Sequence, residues 1–315
     1  MSGIAAGASR HIYMPAIAVL CMIYSAIFPV NKMSAESGDP YIGYVFWFSL
    51  VASIALLAVS LVRRQLPPFT FAHVRAYAIL GVAGVALPVP LLTFIAPKVP
   101  VGIITLELAL VPLLTYVISW LLRIEKFRAS GVIGLLFGFA GMLLVLVPDV
   151  SLPDPDMVGW AVLALVAPLC FGCANAFAAY FRPPEAPSMV MATGMSISST
   201  VMLAPVIVIA GHAYVFPGPS FDGNMAVLAA AAITAICTGA WFALVRAVGP
   251  VYFSQFNYFI VLGGFAWGAV LYGESHNWPV WVAVALTFVG LGVFNHGAAR
   301  AARAAESAAR HASAD

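Results

Sequence analysis

The chain has 315 residues, of which 63% are hydrophobic and only 8% charged, with a mean hydropathy of +1.01. Soluble domains run near roughly 25% charged, so this composition excludes a soluble enzyme or binding module and makes lipid the solvent of the folded core. A net charge of +2 gives no argument for nucleic acid, and no nucleic-acid partner is expected.

About 20 apolar residues cross a bilayer as helix, and ten such runs follow one another. They fall near 13–33, 41–62, 74–96, 99–122, 129–147, 157–181, 188–210, 224–246, 250–272 and 278–296. Helix rather than strand follows from run length and from the need to satisfy every backbone group inside lipid. The connections are short and carry proline or charge: Arg63-Arg64 with Pro67-Pro68, Arg123 to Arg128, Pro148 to Asp156, and Arg182-Pro183-Pro184. The first run ends in Asn31-Lys32 rather than at a small-residue cleavage site, so no cleavable signal is expected. Cys21, Cys170, Cys173 and Cys237 all lie inside apolar runs, where thiols pack as small hydrophobes; the CxxC spacing of Cys170 and Cys173 is read the same way.

The second half repeats the first at a shift of about 150 residues. Pro100-Val101 recurs as Pro250-Val251, Ser49 and Val51 match Ser199 and Val201, and Lys32 faces Arg182. One residue is lost near Arg123, after which Glu125 matches Glu274, Phe139 matches Phe288 and Gly141 matches Gly290. Each unit holds five spans, an odd number, so the second must enter the membrane from the opposite side. The expected fold is therefore an all-α integral membrane protein of ten transmembrane helices, built as two inverted five-helix repeats. The divisions are an N-terminal segment 1–12, a first repeat 13–148, a second repeat 157–296 and an Ala/Arg-rich tail 297–315. Inverted repeats of this kind place a binding site near the midplane.

Basic residues set the orientation. With the N-terminus in the cytoplasm, 12 of the 14 lysines and arginines fall on that side, and only Lys32 and Lys98 on the other. Glu36, Asp39, Asp149, Asp154, Asp156, Asp222 and Glu274 gather outside. Both termini are thus expected in the cytoplasm, in a cell inner (plasma) membrane. The tail reads as a topology anchor or as a short helix touching anionic headgroups.

Three features as they stand here resemble the EamA type of the drug/metabolite transporter superfamily. The spans run five plus five with both ends inside. The first span closes on a polar-aromatic run and lysine, Tyr24-Ser-Ala-Ile-Phe28-Pro29-Val-Asn31-Lys32. The fourth carries Leu106-Glu107 through Pro112 to Thr115, followed by Glu125 and a glycine-rich fifth span from Gly131 to Gly141. The second repeat departs from the pattern with Leu262 where Pro112 stands. The resemblance covers about residues 13–296. It implies a membrane carrier of small metabolites, often an exporter, with a central cavity lined by spans 1, 3, 4, 6, 8 and 9.

The residues themselves name the site candidates. Glu107 lies some eight residues into span 4, about 10–12 Å below the outer surface at 1.5 Å per residue. A carboxylate there must be neutral, paired or facing water. It binds a substrate amine, exchanges a proton, or is a structural acid between helices. Its repeat mate is Asn257, with Gln255 matching Thr105, so the repeat sets an amide opposite the acid; simple interhelical hydrogen bonding is the alternative. Lys32 pairs with Glu107, attracts an anion, or snorkels as an anchor. With Arg182 it forms a pair of cations at opposite mouths, either gates or lipid anchors. Asn175 and its mate Ser25 are both cavity candidates. Trp241, Tyr258 and Tyr24 are aromatics for an amphipathic ligand, whereas Trp120, Tyr252 and Trp278 suit the interfacial belt. Pro88 and Pro90 must kink or open span 3, and the matching stretch of span 8 around Gly239 is read as a second weak point, the two together serving as hinges. Gly134-x-x-x-Gly138 permits close helix contact.

A membrane enzyme would need clustered acid, base or metal ligands. The six histidines are scattered and no serine sits in a nucleophile motif, so no enzymatic activity, metal or other cofactor is expected. No Walker-type loop supports ATP-driven pumping, and no charged ring supports a channel. The reading is a secondary transporter of small polar or amphipathic metabolites, with amino acids or related amines foremost and export as the direction. Glu107 offers a route for proton coupling. A lipid flippase or scramblase is the alternative. Membrane lipids are the other partner, and the sequence leaves the oligomeric state open.

Overall fold

The computed structural model describes residues 14–145, 154, 156–254, 257–275, 277–286, 288–290, 292–293, 296–297 and 300. Among these residues every regular element is a helix. In chain order they are α1 (Pro15–Glu36), α2 (Tyr41–Val62), α3 (Phe71–Ile95), α4 (Val101–Leu121), α5 (Ala129–Val145), α6 (Met157–Tyr180), α7 (Ser188–Ile209), α8 (Phe221–Val248), α9 (Asn257–Tyr272) and α10 (Trp278–Gly290). A short helix, Pro250–Ser254, precedes α9. Among the described residues, seven helices, α1 to α4 and α6 to α8, are long and apolar enough to cross a membrane. The helices α5 and α10 are shorter and apolar, and α9 has 16 residues.

Prolines mark four of the helix interruptions, although α7 runs unbroken through Pro205. A proline lacks the N–H that would bond the carbonyl four residues earlier, and its ring displaces that carbonyl. Ahead of Pro29, α1 breaks at Ala26. Ahead of Pro88 and Pro90, α3 loosens into a π turn over Val82–Ala86, and the Leu87 N–H reaches back to the Val82 carbonyl at 3.1 Å. Ahead of Pro112, α4 tightens into a 3-10 turn over Leu108–Leu110. Ahead of Pro168, α6 breaks at Leu165. The opening expected at Pro88 and Pro90 is therefore present. Its expected counterpart at Gly239 is not, because α8 runs unbroken from Phe221 to Val248. One glycine costs a helix only about 1 kcal/mol against alanine, and the neighbours of Gly239 supply no proline to add to it.

The helices pack in pairs that recur between the two halves. The α2–α7 contact is its own counterpart, α2–α8 is matched by α7–α3, α4–α6 by α9–α1, and α1–α8 by α6–α3. Local details repeat as well: the Glu125 N–H donates to the Ser119 carbonyl at 3.1 Å, and the Glu274 N–H to the Gly268 carbonyl at 3.1 Å. Hydroxyls line the α2–α7 seam. Ser53 Oγ lies 2.9 Å from Ser196 Oγ and 3.1 Å from Thr200 Oγ1, and Ser60 Oγ lies 2.7 Å from Thr193 Oγ1. Such bonds contribute on the order of 0.6 kcal/mol each within a bilayer.

Small residues set the closest approaches. Gly290 of α10 lies against Gly134 and Gly138 of α5, where a methyl group would come 2.7 Å from the Gly134 carbonyl oxygen. The Gly-x-x-x-Gly pair thus serves a contact inside the chain. On α9, a side chain at Gly263 would collide with Ser25 of α1, and one at Gly264 with Thr105 of α4. These contacts bring α1, α4 and α9 together around one side of the interior.

Candidate functional site

At the middle of the helices lies a cavity of about 130 Å³, room for several water molecules or one solute of amino-acid size. Its walls come from α1, α2, α3, α4, α6, α7, α8, α9 and the Pro250–Ser254 helix. The expected lining from spans 1, 3, 4, 6, 8 and 9 is found, joined by Phe48 of α2 and Met195 of α7. The π turn of α3 has a direct part in this, since it places Gly84 and Val85 on the wall, with Val89 and Leu92 following. Three amides, Asn31, Asn175 and Asn257, face the space together with Tyr24, Trp241, Thr234 and Thr238. Among the described residues no Asp, Glu, Lys, Arg or His contributes to the wall.

Asn175 is the most constrained of the three amides. Its Oδ1 accepts the indole N–H of Trp241 at 2.9 Å, and its Nδ2 donates to Thr115 Oγ1 at 3.4 Å. One side chain thereby ties α6 to α8 and α4, and an indole N–H that has only a donor to offer fixes the orientation of the amide. The Nδ2 of Asn257 donates to the Ser254 carbonyl at 2.9 Å, bridging the start of α9 to the short helix before it. Asn31 sits on α1 toward the other end of the cavity, where Tyr44 of α2 donates its hydroxyl to Oδ1 at 3.0 Å. Tyr24, on the α1 segment before the break, meets Phe28 edge-on with ring centroids 6.2 Å apart.

Three sequence expectations change. Glu107 is buried, 1% exposed, yet it does not line the cavity; Leu108 and Val111 of the same helix do. Neither Glu107 oxygen has a hydrogen-bond partner among the described residues. The acid and Asn257 are therefore not a pair across the site. The physical reason is that the matched residues stand at different places in their helices: Glu107 ends the regular first segment of α4, ahead of the 3-10 turn at Leu108–Leu110, whereas Asn257 begins α9. Tyr258 also points elsewhere: it is 3% exposed and packs on Phe288 with centroids 5.3 Å apart. Its hydroxyl has no partner among the described residues. Ser25, the repeat mate of Asn175, is held by the Trp267 indole N–H at 3.2 Å and is not on the wall. Gln255 lies outside the described residues.

Lys32 gives the third correction. It pairs with Glu274, not Glu107: Nζ lies 3.4 Å from Oε1, and 4.1 Å above the ring centroid of Tyr272. Glu274 also accepts the backbone N–H groups of Val101 at 2.8 Å and Gly102 at 3.1 Å. These are the first two residues of α4, so the carboxylate caps that helix and meets the positive end of its dipole. The Tyr272 hydroxyl donates to the Pro29 carbonyl at 3.0 Å. One end of the bundle is thus tied through α1, α4 and α9. At the pseudo-equivalent opposite end, the Arg182 guanidinium donates to the Ala186 carbonyl at 2.6 Å, to Ser188 Oγ at 3.2 Å and to the Phe242 carbonyl at 3.4 Å. Burial, and then the neighbouring Arg246, hold its pKa below the usual arginine value. Both cations engage protein groups, which goes beyond lipid anchoring.

Asn31 and Glu274 were not singled out from the sequence. A signal for Glu274 was present: α4 starts at Pro100-Val101 with no Ser, Thr, Asp or Asn to cap it, so its first N–H groups required an acceptor from elsewhere.

The EamA-like transporter family matches residues 11–147. The first half of the chain is thus similar to that family. No curated protein matches the chain. Among solved structures, one described only as the crystal structure of a protein is similar with a TM-score of 0.60 at 17% identity, covering 89% of this chain and 97% of that one. That likeness concerns the fold alone. The family so matched is, by its description, one of transporters. Within the chain, the EamA unit provides α1 to α5 and hence one wall of the cavity, and the second half closes the other.

Proposed function

We propose that the chain is a secondary transporter that carries small polar or amphipathic metabolites across the inner membrane by alternating access. In this reading ten helices cross the bilayer as two inverted five-helix repeats, with both termini in the cytoplasm. The duplicated packing pairs and the matched Glu125 and Glu274 backbone bonds support the repeat. The excess of basic residues on one side supports the orientation. Export rests on the resemblance to EamA carriers.

The observation that carries the reading is the central cavity, closed by both halves and furnished with three amides and two polar aromatics. A site at the interface of two repeats is where rocking of one against the other changes access. The Lys32–Glu274 contact joins α1 of one half to the end of α9 in the other and closes the outer mouth. A short reducible bis-maleimide between cysteines at positions 32 and 274, made as Lys32→Cys with Glu274→Cys in a chain whose native cysteines are replaced by Ala, tests this. Uptake into proteoliposomes is expected to stop on bridging and to return on reduction. Undiminished uptake by the bridged protein would rule out alternating access through this mouth.

The choice of amino acids or related amines rests on an acid joining the amide in the site. With Glu107 off the wall, that argument loses its carboxylate. Proton coupling through Glu107 loses its route for the same reason. Glu107→Gln is expected to keep the wild-type response of uptake to an imposed pH gradient; loss of that response would restore the acid to the transport cycle. Lipid translocation is not favoured. The polar groups converge at the centre, whereas the lateral hollow beside Gly239 is lined by Ala55, Leu56, Val59 and Ile236, with Arg63 its one charged residue.

A further inference from the structure

The transport reading leaves open which solutes the cavity accepts, and the inference drawn here rests on that reading. Two properties of the wall bear on it. The first is its charge. The Lys32–Glu274 pair is engaged at the cap of α4, and the buried acid Glu107 is not on the wall. An ion moved from water into such a site meets no counter-charge, and only partial dipoles repay its lost hydration.

The second property is which hydrogen-bonding groups remain open. An amide has two acceptor sites and two donors. Asn175 commits one of each, to Trp241 and Thr115. Asn257 commits one N–H of Nδ2 to the Ser254 carbonyl, which leaves it richer in acceptor sites, both on Oδ1. Asn31 commits one Oδ1 acceptor site to the Tyr44 hydroxyl, which leaves it richer in donors, both on Nδ2. Asn31 lies on the α1 segment beside Lys32, which meets Glu274 just past the end of α9, whereas Asn257 begins α9. The donor-rich and acceptor-rich amides therefore stand toward opposite ends of the space. Between them the wall is largely apolar and aromatic, with Tyr24, Phe28, Phe171 and Trp241, and carries the hydroxyls of Thr234 and Thr238.

We infer that the site selects uncharged solutes with a flat apolar body, a hydrogen-bond acceptor directed at Asn31 and a donor directed at Asn257. A neutral carboxamide on an aromatic ring has both groups. Cationic amines and carboxylate anions of equal size are rejected by desolvation, and transport of the neutral solute moves no net charge.

Three probes of nearly equal size separate charge from shape: benzamide, benzoate and benzylamine, the last a cation at pH 7. Binding to the purified full-length protein is followed by intrinsic tryptophan fluorescence, with Trp241→Phe assigning the cavity signal. Benzamide is expected to bind saturably, and benzoate and benzylamine about tenfold more weakly or worse. Equal or tighter binding of either ion overturns the inference. Binding of none of the three also overturns it, while saturable uptake of other solutes in the same preparation would leave the transport reading standing. A second variant reads the charge directly. Asn31→Asp is nearly isosteric, keeps an acceptor for Tyr44, and places one negative charge on the wall. It is expected to raise benzylamine binding about tenfold and to reverse the preference over benzamide. An unchanged order of the three probes in this variant contradicts an uncharged wall as the source of selection.

Discussion

Replacing Asn175 with Leu is expected to reduce saturable uptake by about tenfold or more while leaving the protein folded and monodisperse. The side chain keeps the branched shape but removes both polar atoms. The Trp241 indole N–H then loses its acceptor at 2.9 Å, and an orphaned buried donor costs about 1–3 kcal/mol. The indole relieves that cost by turning, and in turning it changes the cavity wall. Because the amide links α6, α8 and α4, the error spreads to three helices around the site. Trp241→Phe removes the donor instead. In the double variant the effects are expected to be clearly less than additive, since both changes delete one interaction. Uptake by Asn175→Leu within twofold of wild type would show that the Asn175–Trp241 contact is scaffolding outside the transport path.

Glu274→Ala is expected to lower thermal stability in detergent more than any other single loss of a charge in the chain. The carboxylate holds two backbone N–H groups at the start of α4 and the Lys32 ammonium. Loss of a helix cap costs about 0.5–2 kcal/mol. The ion pair adds a smaller amount, because both side chains keep some contact with water, 15% and 9% exposed, and screening reduces such pairs. Glu274→Gln retains an acceptor for the cap and loses only the charge, so its destabilisation is expected to fall between wild type and Glu274→Ala. Thermal unfolding in the same detergent checks the order. A Gln variant as unstable as the Ala variant would assign the effect to charge rather than to capping.

The sequence disclosed what depends on local chemistry. Apolar run length located the helices, and Pro88 and Pro90 announced the opening of α3. The amide at Asn175 and the indole at Trp241 were recognisable because polar side chains deep in apolar runs need partners. The direction a side chain takes beyond a break was not recognisable. Glu107 and Asn257 occupy matched positions in the repeat, yet one ends the regular first segment of α4 and the other begins α9. Matched sequence positions therefore do not fix which of the two faces the cavity. Contacts across the chain were hidden for another reason. Lys32 and Glu274 are 242 residues apart, and two acceptable partners for one lysine, Glu107 and Glu274, differ only in where the folded helices end. Asn31 was overlooked because its neighbour Lys32 accounted for the polarity of that stretch. Pseudo-symmetry overreached once more at Gly239, where one glycine could not reproduce the effect of two prolines.

The central claim is that small solutes pass through a cavity between an EamA half and its partner half. Its most direct test is one preparation of proteoliposomes measured two ways. Uptake of a panel of labelled uncharged and charged small solutes is followed beside the movement of fluorescent phospholipid between leaflets. Saturable uptake of a solute, with lipid exchange at the rate of protein-free vesicles, is the result this structure predicts. Fast lipid exchange with no saturable solute uptake, in protein shown to be folded, would contradict it.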